Sequence, residues 1–139
     1  MEKSYKFDGK SYSYEELKKL FDDHSKKSKN SINVRLDETL KLIEGKRILD
    51  FGCAEGATTK HLAQLNPDRE LVGIDYMEDA IKIANDFCKL PNVTYEVRDI
   101  FSKPFPDSSF DCIIFTEVIE HVENPFTYLK EFFRILSPG

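Results

Sequence analysis

Cysteines and long apolar runs are scarce in this sequence of 139 residues. The three cysteines, Cys53, Cys88 and Cys112, lie far apart and lack the C-x-x-C spacing of zinc and redox sites. They lie in apolar or glycine-rich stretches, so we expect reduced core thiols in a cytoplasmic protein. No apolar run approaches the roughly 18 residues of a membrane span, and no signal-peptide pattern is visible. A membrane partner is therefore not expected.

An excess of positive charge is also missing. The sequence has 20 Lys and Arg against 25 Asp and Glu, which gives a net charge of −5. This balance gives no general encouragement to binding of nucleic acid or anionic membranes. The composition, 40% apolar and 32% charged, is that of a soluble globular protein, and the length suits one domain with a sizeable core.

The first 45 residues predict a helical segment that precedes the main domain. Residues 1–12 are polar with interspersed aromatics and show no clear period. Ser13 and Glu16 have the spacing of a capping box, which opens a first helix. A second helix is predicted over 32–43, where apolar residues recur at helical spacing. Both helices are expected to pack against a sheet.

From residue 46 onward, strand and helix patterns alternate, which predicts a parallel, doubly wound α/β sheet. Helices are expected over 57–65, after the second strand, and after the Asn124-Pro125 cap. The last of these is expected to bury Phe126, Leu129, Phe133 and Leu136. The four strands are expected at 47–51, 70–75, 93–98 and 110–116.

The stretch that organises the domain is the turn after the first strand. The apolar run 48–51 breaks into small residues around Gly52, and a helix pattern follows. Strand, glycine-rich turn and helix form a ligand crevice at the carboxyl ends of the strands of an open sheet. The turn could pass as a degraded dinucleotide fingerprint, but Asp50 and Glu55 would repel a pyrophosphate. A ligand with cationic groups, such as S-adenosylmethionine, would tolerate both carboxylates.

A second acid marks the next strand end. Asp75 lies 19 positions beyond Gly56, at the end of the second strand. A carboxylate at this place can accept hydrogen bonds from both ribose hydroxyls of an adenosine-type ligand, which is the role assigned to Asp75; the alternative is an exposed aspartate that caps the next helix. Tyr76 and Met77 follow, and they either pack against an adenine or belong to the core.

The turn resembles that of the class I S-adenosylmethionine-dependent methyltransferases, of the methyltransferase type 11 kind. That family has an Asp-x-Gly-x-Gly-x-Gly turn, and here Ala54 replaces the middle glycine. The resemblance implies a Rossmann-like, mainly parallel sheet of order 3-2-1-4 over 46–139, with residues 1–45 as a cap or lid. It further implies S-adenosylmethionine as cofactor, held by Asp50, Gly52, Cys53, Ala54, Gly56, Asp75, Tyr76, Met77, Asp99, Ile100, Thr116 and Glu117.

Two further stretches carry the resemblance. Asp99 closes the third strand, and in the family this position faces the adenine amino group, with Ile100 against the ring. The loop 104–111 is similar to a recurring family stretch before the fourth strand. The sequence stops at 137–139, where the family continues into a fifth strand, so we expect a C-terminally incomplete domain with little turnover alone.

A cluster of three polar residues follows the fourth strand. Glu117, Glu120 and His121 are spaced so that a helical turn would place them on one face. They are the candidate catalytic residues, and carboxylates with an imidazole can also bind a divalent metal. The motif resembles two metal-assisted groups, the ubiquinone-pathway O-methyltransferases and the small-RNA 2′-O-methyltransferases. No histidine follows His121, so a bound metal is not expected, and Glu117 is assigned to the methionine end of the cofactor.

The predicted function is methyl transfer to an acceptor, chiefly a small molecule. Three alternatives stay open: a metal-dependent RNA 2′-O-methyltransferase, a non-catalytic cofactor-binding module, and a nicotinamide-dependent oxidoreductase. The fourth strand, 110–116, has no lysine or proline to protect it as an edge. We therefore also expect a homodimer through that edge.

Overall fold

The computed structural model describes residues 3–7, 9–27, 38, 40–115 and 122–138. These residues divide into two compact units, Met1–Ile43 and Glu44–Gly139. Each unit is described by itself. Within the described ranges, no helix combines the length and the apolar character that crossing a membrane requires.

The first unit contains a hairpin that the sequence did not predict. Strands β1 (Ser4–Phe7) and β2 (Lys10–Ser13) are antiparallel, and helix α1 (Tyr14–Lys27) follows directly. The predicted capping box is confirmed, since Ser13 N donates to Glu16 Oε2 (2.8 Å) and Glu16 N donates to Ser13 Oγ (3.3 Å). The second helix was predicted over 32–43. Residues 38 and 40–42 are helical, whereas residues 32–37 and 39 lie outside the described residues.

The second unit is a four-stranded parallel sheet in the order β5-β4-β3-β6, which confirms the predicted order 3-2-1-4. The first two predicted strands and the helix between them match the observed bounds residue for residue. The third strand ends one residue earlier than predicted. The elements are β3 (Arg47–Phe51), α2 (Ala57–Leu65), β4 (Glu70–Asp75), α3 (Glu78–Phe87), β5 (Val93–Val97), β6 (Cys112–Ile114) and α4 (Pro125–Ile135).

The core lies on both sides of β3, one of the two interior strands of the described sheet. Ile48 and Leu49 are fully buried there, and Leu49 pairs with Val72 of β4 and Ile113 of β6. This burial explains the apolar residues Ile48, Leu49 and Phe51, as expected for a parallel strand covered on both faces, whereas the fourth residue of the strand is the acid Asp50. One core cluster joins the sheet to α4 through Leu49, Ile74, Ile100, Phe110, Phe132 and Ile135.

The last strand is shorter than predicted, and its first predicted residue, Phe110, pairs with the end of α4 and not with β3. Phe110 N donates to the carbonyl of Ile135 (3.0 Å), and Ser137 N donates to the carbonyl of Phe110 (2.7 Å). This bridge at Phe110 covers one end of the strand. In the part of the chain described here, no strand pairs with the outer edge of Cys112–Ile114. The homodimer through this edge stays a prediction.

The prediction for the buried face of α4 was wrong. Phe126 and Phe133 are 75% and 84% exposed, and Leu129 is also exposed. The helix instead buries Phe132 and Ile135. Two apolar stripes at helical spacing run along this helix, so periodicity alone could not choose between them. The backbone bridge between Phe110 and the end of the helix fixes which stripe faces the sheet.

Candidate functional site

A cavity of about 440 Å³ opens at the carboxyl ends of β3, β4 and β5. Its size lies within the range of small-molecule sites, roughly 300–1,000 Å³. The predicted cofactor residues that line it are Gly52, Asp75, Tyr76, Met77, Asp99 and Ile100. The lining residues that sequence reasoning missed are Phe51, Ile74, Arg98, Phe101, Val122 and Tyr128.

The glycine-rich turn is tied to the end of the neighbouring strand. The amides of Gly52 and Cys53 both donate to the carbonyl of Ile74, at 2.9 and 3.0 Å. Ala54 adopts a positive φ of 49°, and its amide donates to Asp75 Oδ2 (3.0 Å). The turn therefore depends on β4 for its shape, and the Asp75 carboxylate connects the two.

Asp75 combines a structural task with free accepting capacity. Its Oδ1 accepts from the amide of Met77 (3.0 Å), while Oδ2 accepts from Ala54. A carboxylate oxygen can accept two hydrogen bonds, so with respect to the described residues each oxygen retains one acceptor position. The side chain is half-buried and lines the cavity. The carboxylate is thus fixed in place and still able to receive two hydroxyl donors.

A buried tyrosine, Tyr95, contacts the backbone at the end of the turn. The hydroxyl of Tyr95 lies 2.9 Å from the carbonyl oxygen of Cys88 and 3.2 Å from that of Gly56, and it can donate to either. Burial raises the pKa of Tyr95, so its hydroxyl stays protonated as a donor. Burial also raises the pKa of the Cys53 thiol, which therefore stays neutral at physiological pH.

Four predicted cofactor residues of the turn do not line the cavity: Asp50, Cys53, Ala54 and Gly56. Asp50 is 5% exposed, and its Oδ2 accepts a hydrogen bond of 2.6 Å from Thr59 Oγ1 on α2. Burial raises the pKa of Asp50 to about 6, and Asp75 adds to the rise by repulsion. Among the residues that the structure describes, the Thr59 hydroxyl is thus the side-chain donor to this buried carboxylate, and no cation is in hydrogen-bond contact with it.

Replacing Asp50 with asparagine tests this burial. The folded protein binds the Asp50 proton more tightly than the unfolded chain does, so its contribution to stability is lost as pH rises from about 4 to 6. Near pH 4 we expect Asp50→Asn and wild type to have the same free energy of unfolding. Above pH 7 we expect that of Asp50→Asn to be higher by roughly 2–3 kcal/mol. Urea unfolding at both pH values measures this, with Asp79→Asn at an exposed position as the control. Equal pH dependence in Asp50→Asn and wild type would contradict it.

The third strand end carries Asp99 in a compact loop. Asp99 Oδ1 accepts from the amide of Phe101 (2.9 Å), and the Asp99 carbonyl accepts from the amide of Lys103 (2.9 Å). The Asp99 side chain is exposed, whereas Ile100 is buried. Parallel strands of one sheet place Asp75 and Asp99 at the same edge, as the sequence predicted.

Aromatic residues form another side of the cavity. The Phe51 ring contacts Tyr128 edge-on, with ring centroids 5.6 Å apart. Tyr128 in turn contacts Phe101 edge-on at 4.9 Å. Phe51 ends β3, and Phe101 lies in the loop that follows β5. Both positions are at the predicted crevice, so the sequence could have revealed these residues. Tyr128 and Val122 come from a distant segment, and only the tertiary structure brings them to the cavity.

The predicted residues after the fourth strand lie outside the described part of the chain. This applies to Thr116, Glu117, Glu120 and His121, so their catalytic, cofactor and metal roles stay predictions. Among the residues that the structure does describe, no group of three or more His, Cys, Asp or Glu could hold a metal ion. The three cysteines are free thiols.

The chain is similar to curated methyltransferases over most of its length. It is 29% identical over 124 residues to norajmaline N-methyltransferase from Rauvolfia serpentina, covering 86% of this chain and 36% of that protein. It is 32% identical over 109 residues to 27-O-demethylrifamycin SV methyltransferase from Amycolatopsis mediterranei, covering 76% of this chain and 40% of that protein. The chain thus spans about two-fifths of the length of these relatives.

Solved structures and a family model agree with this similarity. A methyltransferase structure from Methanosarcina mazei, described as S-adenosylmethionine-dependent, superposes with a TM-score of 0.61 at 30% identity, over 70% of this chain and 50% of that chain. The family model described as "Methyltransferase domain" matches residues 49–139, which include the glycine-rich turn, Asp75 and Asp99. The chain therefore belongs to the methyltransferase domain family, the class I S-adenosylmethionine-dependent methyltransferases.

Proposed function

We propose that the cavity binds S-adenosylmethionine and that the protein transfers its methyl group to an oxygen or nitrogen of a small molecule. The observation that carries this proposal is the Asp75 carboxylate. It lines the cavity, is fixed by two backbone amides, and keeps two acceptor positions for a pair of vicinal hydroxyls. A ribose presents such a pair.

The remaining lining residues fit an adenosyl group. Asp99 provides an acceptor one strand away from Asp75, which suits the amino group of an adenine. Ile100 and Phe101 provide apolar surface beside it, against which a purine ring would pack. Among the described residues, the acids that line the cavity are Asp75 and Asp99. The basic lining residue, Arg98, donates from Nε to Glu96 and from Nη1 to the Lys103 carbonyl, and residues 52–56 of the turn contain no base. This set favours a ligand with hydroxyls, an amino group and positive charge over one with a pyrophosphate.

The chemistry asks mainly for alignment. S-adenosylmethionine supplies a methyl group on a cationic sulfur, and displacement needs the acceptor atom in line with it. An acceptor that holds a proton also needs a base. We assign these tasks to the segment after β6, with Glu117, Glu120 and His121 as the candidate groups. Asp75 and Asp99 have the role of binding and orienting.

Small molecules are the proposed acceptor class. The names of two relatives, norajmaline N-methyltransferase and 27-O-demethylrifamycin SV methyltransferase, give small-molecule acceptors for those proteins. The net charge of −5 favours the same class over RNA. The free, buried thiols of Cys53 and Cys88 suit a reducing compartment, so we place the protein in the cytoplasm.

Parallel calorimetric titrations with S-adenosylmethionine, S-adenosylhomocysteine and NAD test the proposal. We expect both adenosyl ligands to bind and NAD to bind at least about tenfold more weakly, a difference of about 1.4 kcal/mol. Preferential binding of NAD would move the protein to the oxidoreductases. If none of the three ligands binds, the assignment of the cavity as a cofactor site is contradicted.

A further inference from the structure

Arg98 is a lining residue of the cavity that the sequence did not single out. It follows β5 directly, and its side chain is 11% exposed. Its guanidinium carbon lies 3.8 Å from the centroid of the Phe105 ring. Nε donates to Glu96 Oε2 (2.9 Å), and Nη1 donates to the carbonyl of Lys103 (3.2 Å). One planar cation thus contacts three different residues, which a lysine ammonium could not do in the same geometry.

These contacts enclose the loop that carries Asp99. Arg98 holds the loop at its end, through the Lys103 carbonyl and the Phe105 ring. At its beginning, the backbone amide of Arg98 donates to the carbonyl of Asp75 (3.1 Å). Inside the loop, the amide of Lys103 closes back onto the Asp99 carbonyl. Arg98 therefore connects the strand end at Asp75 with the far side of the loop around Asp99.

The ring under the guanidinium is itself anchored. Phe105 packs edge-on against Phe110, with centroids 4.9 Å apart, and Phe110 belongs to the core cluster. The carbonyl of Phe105 accepts from Arg134 Nη2 (2.6 Å), a donor on α4. The Arg98 side chain therefore rests on a fixed surface, and its contacts can transmit that rigidity to the loop.

We propose that Arg98 is a positioning residue, which holds the 99–103 loop so that Asp99 and Phe101 face an adenosyl ligand. The proposal deepens the proposed function and rests on it for the identity of the ligand. Arg98 acts through the loop: the ring face of its guanidinium is taken by Phe105, and two of its donors by Glu96 and Lys103. Its effect should therefore be confined to ligand parts that the loop contacts.

Arg98→Lys and Arg98→Met give a graded test. Lysine keeps a cation near the ring but loses the planar fork, and methionine keeps apolar volume alone. We expect the affinity for S-adenosylhomocysteine to fall about threefold in Arg98→Lys and about tenfold in Arg98→Met, one contact of this kind being worth up to about tenfold in affinity. Adenosine should lose affinity by the same factors, because the loop contacts that part of the ligand.

Arg47→Met is the matched control. Arg47 also lies over an aromatic ring, at 5.7 Å from the Phe110 centroid, and also has a glutamate partner, Glu70 at 3.8 Å. It lies at the amino end of β3, and it does not line the cavity. We expect its ligand affinities to equal those of wild type. Wild-type affinity in Arg98→Met, or an equal loss in Arg47→Met, would overturn the proposal.

Hydrogen exchange of the ligand-free protein separates this proposal from the proposed function. In Arg98→Met, the amides of Phe101 and Lys103 should exchange at least about threefold faster than in wild type, and in Arg47→Met they should not. Unchanged exchange in Arg98→Met would overturn the role of Arg98 even if ligands bind. If exchange is faster in Arg98→Met but the wild-type protein binds no adenosyl ligand, the role of Arg98 in holding the loop is supported and the proposed ligand is contradicted.

Discussion

Asp75→Ala is expected to lower the affinity for S-adenosylhomocysteine about a hundredfold or more. Hydrogen bonds to a charged group contribute roughly 1.5–3 kcal/mol each, and the variant would lose two of them to the ribose. The variant also removes the acceptor for the amides of Ala54 and Met77, which shape the turn beside the cavity. Both effects act in the same direction. Isothermal titration calorimetry measures the loss directly.

Two controls make the Asp75 result specific. Asp79→Ala removes the same charge four residues further on, at an exposed position that does not line the cavity, and should leave affinity unchanged. Asp75→Asn keeps one accepting oxygen without the charge, and its affinity for S-adenosylhomocysteine should lie between those of wild type and Asp75→Ala. An Asp75→Ala protein that is folded by circular dichroism and binds like wild type would remove the central support for the proposed function.

Gly56→Ala is expected to lower the free energy of unfolding by roughly 2–4 kcal/mol, the sum of backbone strain and overpacking. Gly56 has a φ of +84°, a conformation that a Cβ disfavours. A Cβ there would also lie 2.7 Å from Tyr95 Cε1 and 3.0 Å from Ala84 Cβ. Tyr95 cannot move away freely, because its hydroxyl donates to a backbone carbonyl, that of Cys88 or that of Gly56. Chemical unfolding followed by circular dichroism provides the measurement.

Gly9→Ala separates the two causes of the Gly56 effect. Gly9 has a similar φ of +73°, but no atom of the described residues lies within 4 Å of the position its Cβ would occupy. This variant should therefore lose only about 1 kcal/mol, the strain of the left-handed backbone alone. Equal losses at the two glycines would show that contact with Tyr95 does not matter.

The sequence by itself determined the alternation of strands and helices and the ends of the first strands, and the family resemblance implied the order of the sheet. Short apolar stretches, Ile48-Leu49 and Leu71-Val72, mark these two strands, which could therefore be placed at 47–51 and 70–75. The acids at strand ends were found by the same means, because parallel strands bring their carboxyl ends to one edge. Asp75 and Asp99 therefore meet at one cavity, as their positions predicted.

Tertiary structure decided the features that periodicity leaves open. The hairpin of β1 and β2 was missed although its signal is local, since Tyr5 and Phe7 alternate with polar residues and Asp8-Gly9 is a residue pair that two-residue hairpin turns favour. The buried face of α4 was decided by the bridge at Phe110, because two apolar stripes were equally spaced. Asp50 became a buried acid because Thr59 of α2 packs against it, and Arg98 is held at the cavity by contacts with the loop that follows it. The periodicity of one segment does not specify these outcomes, since each arises from contacts that the segment makes with another.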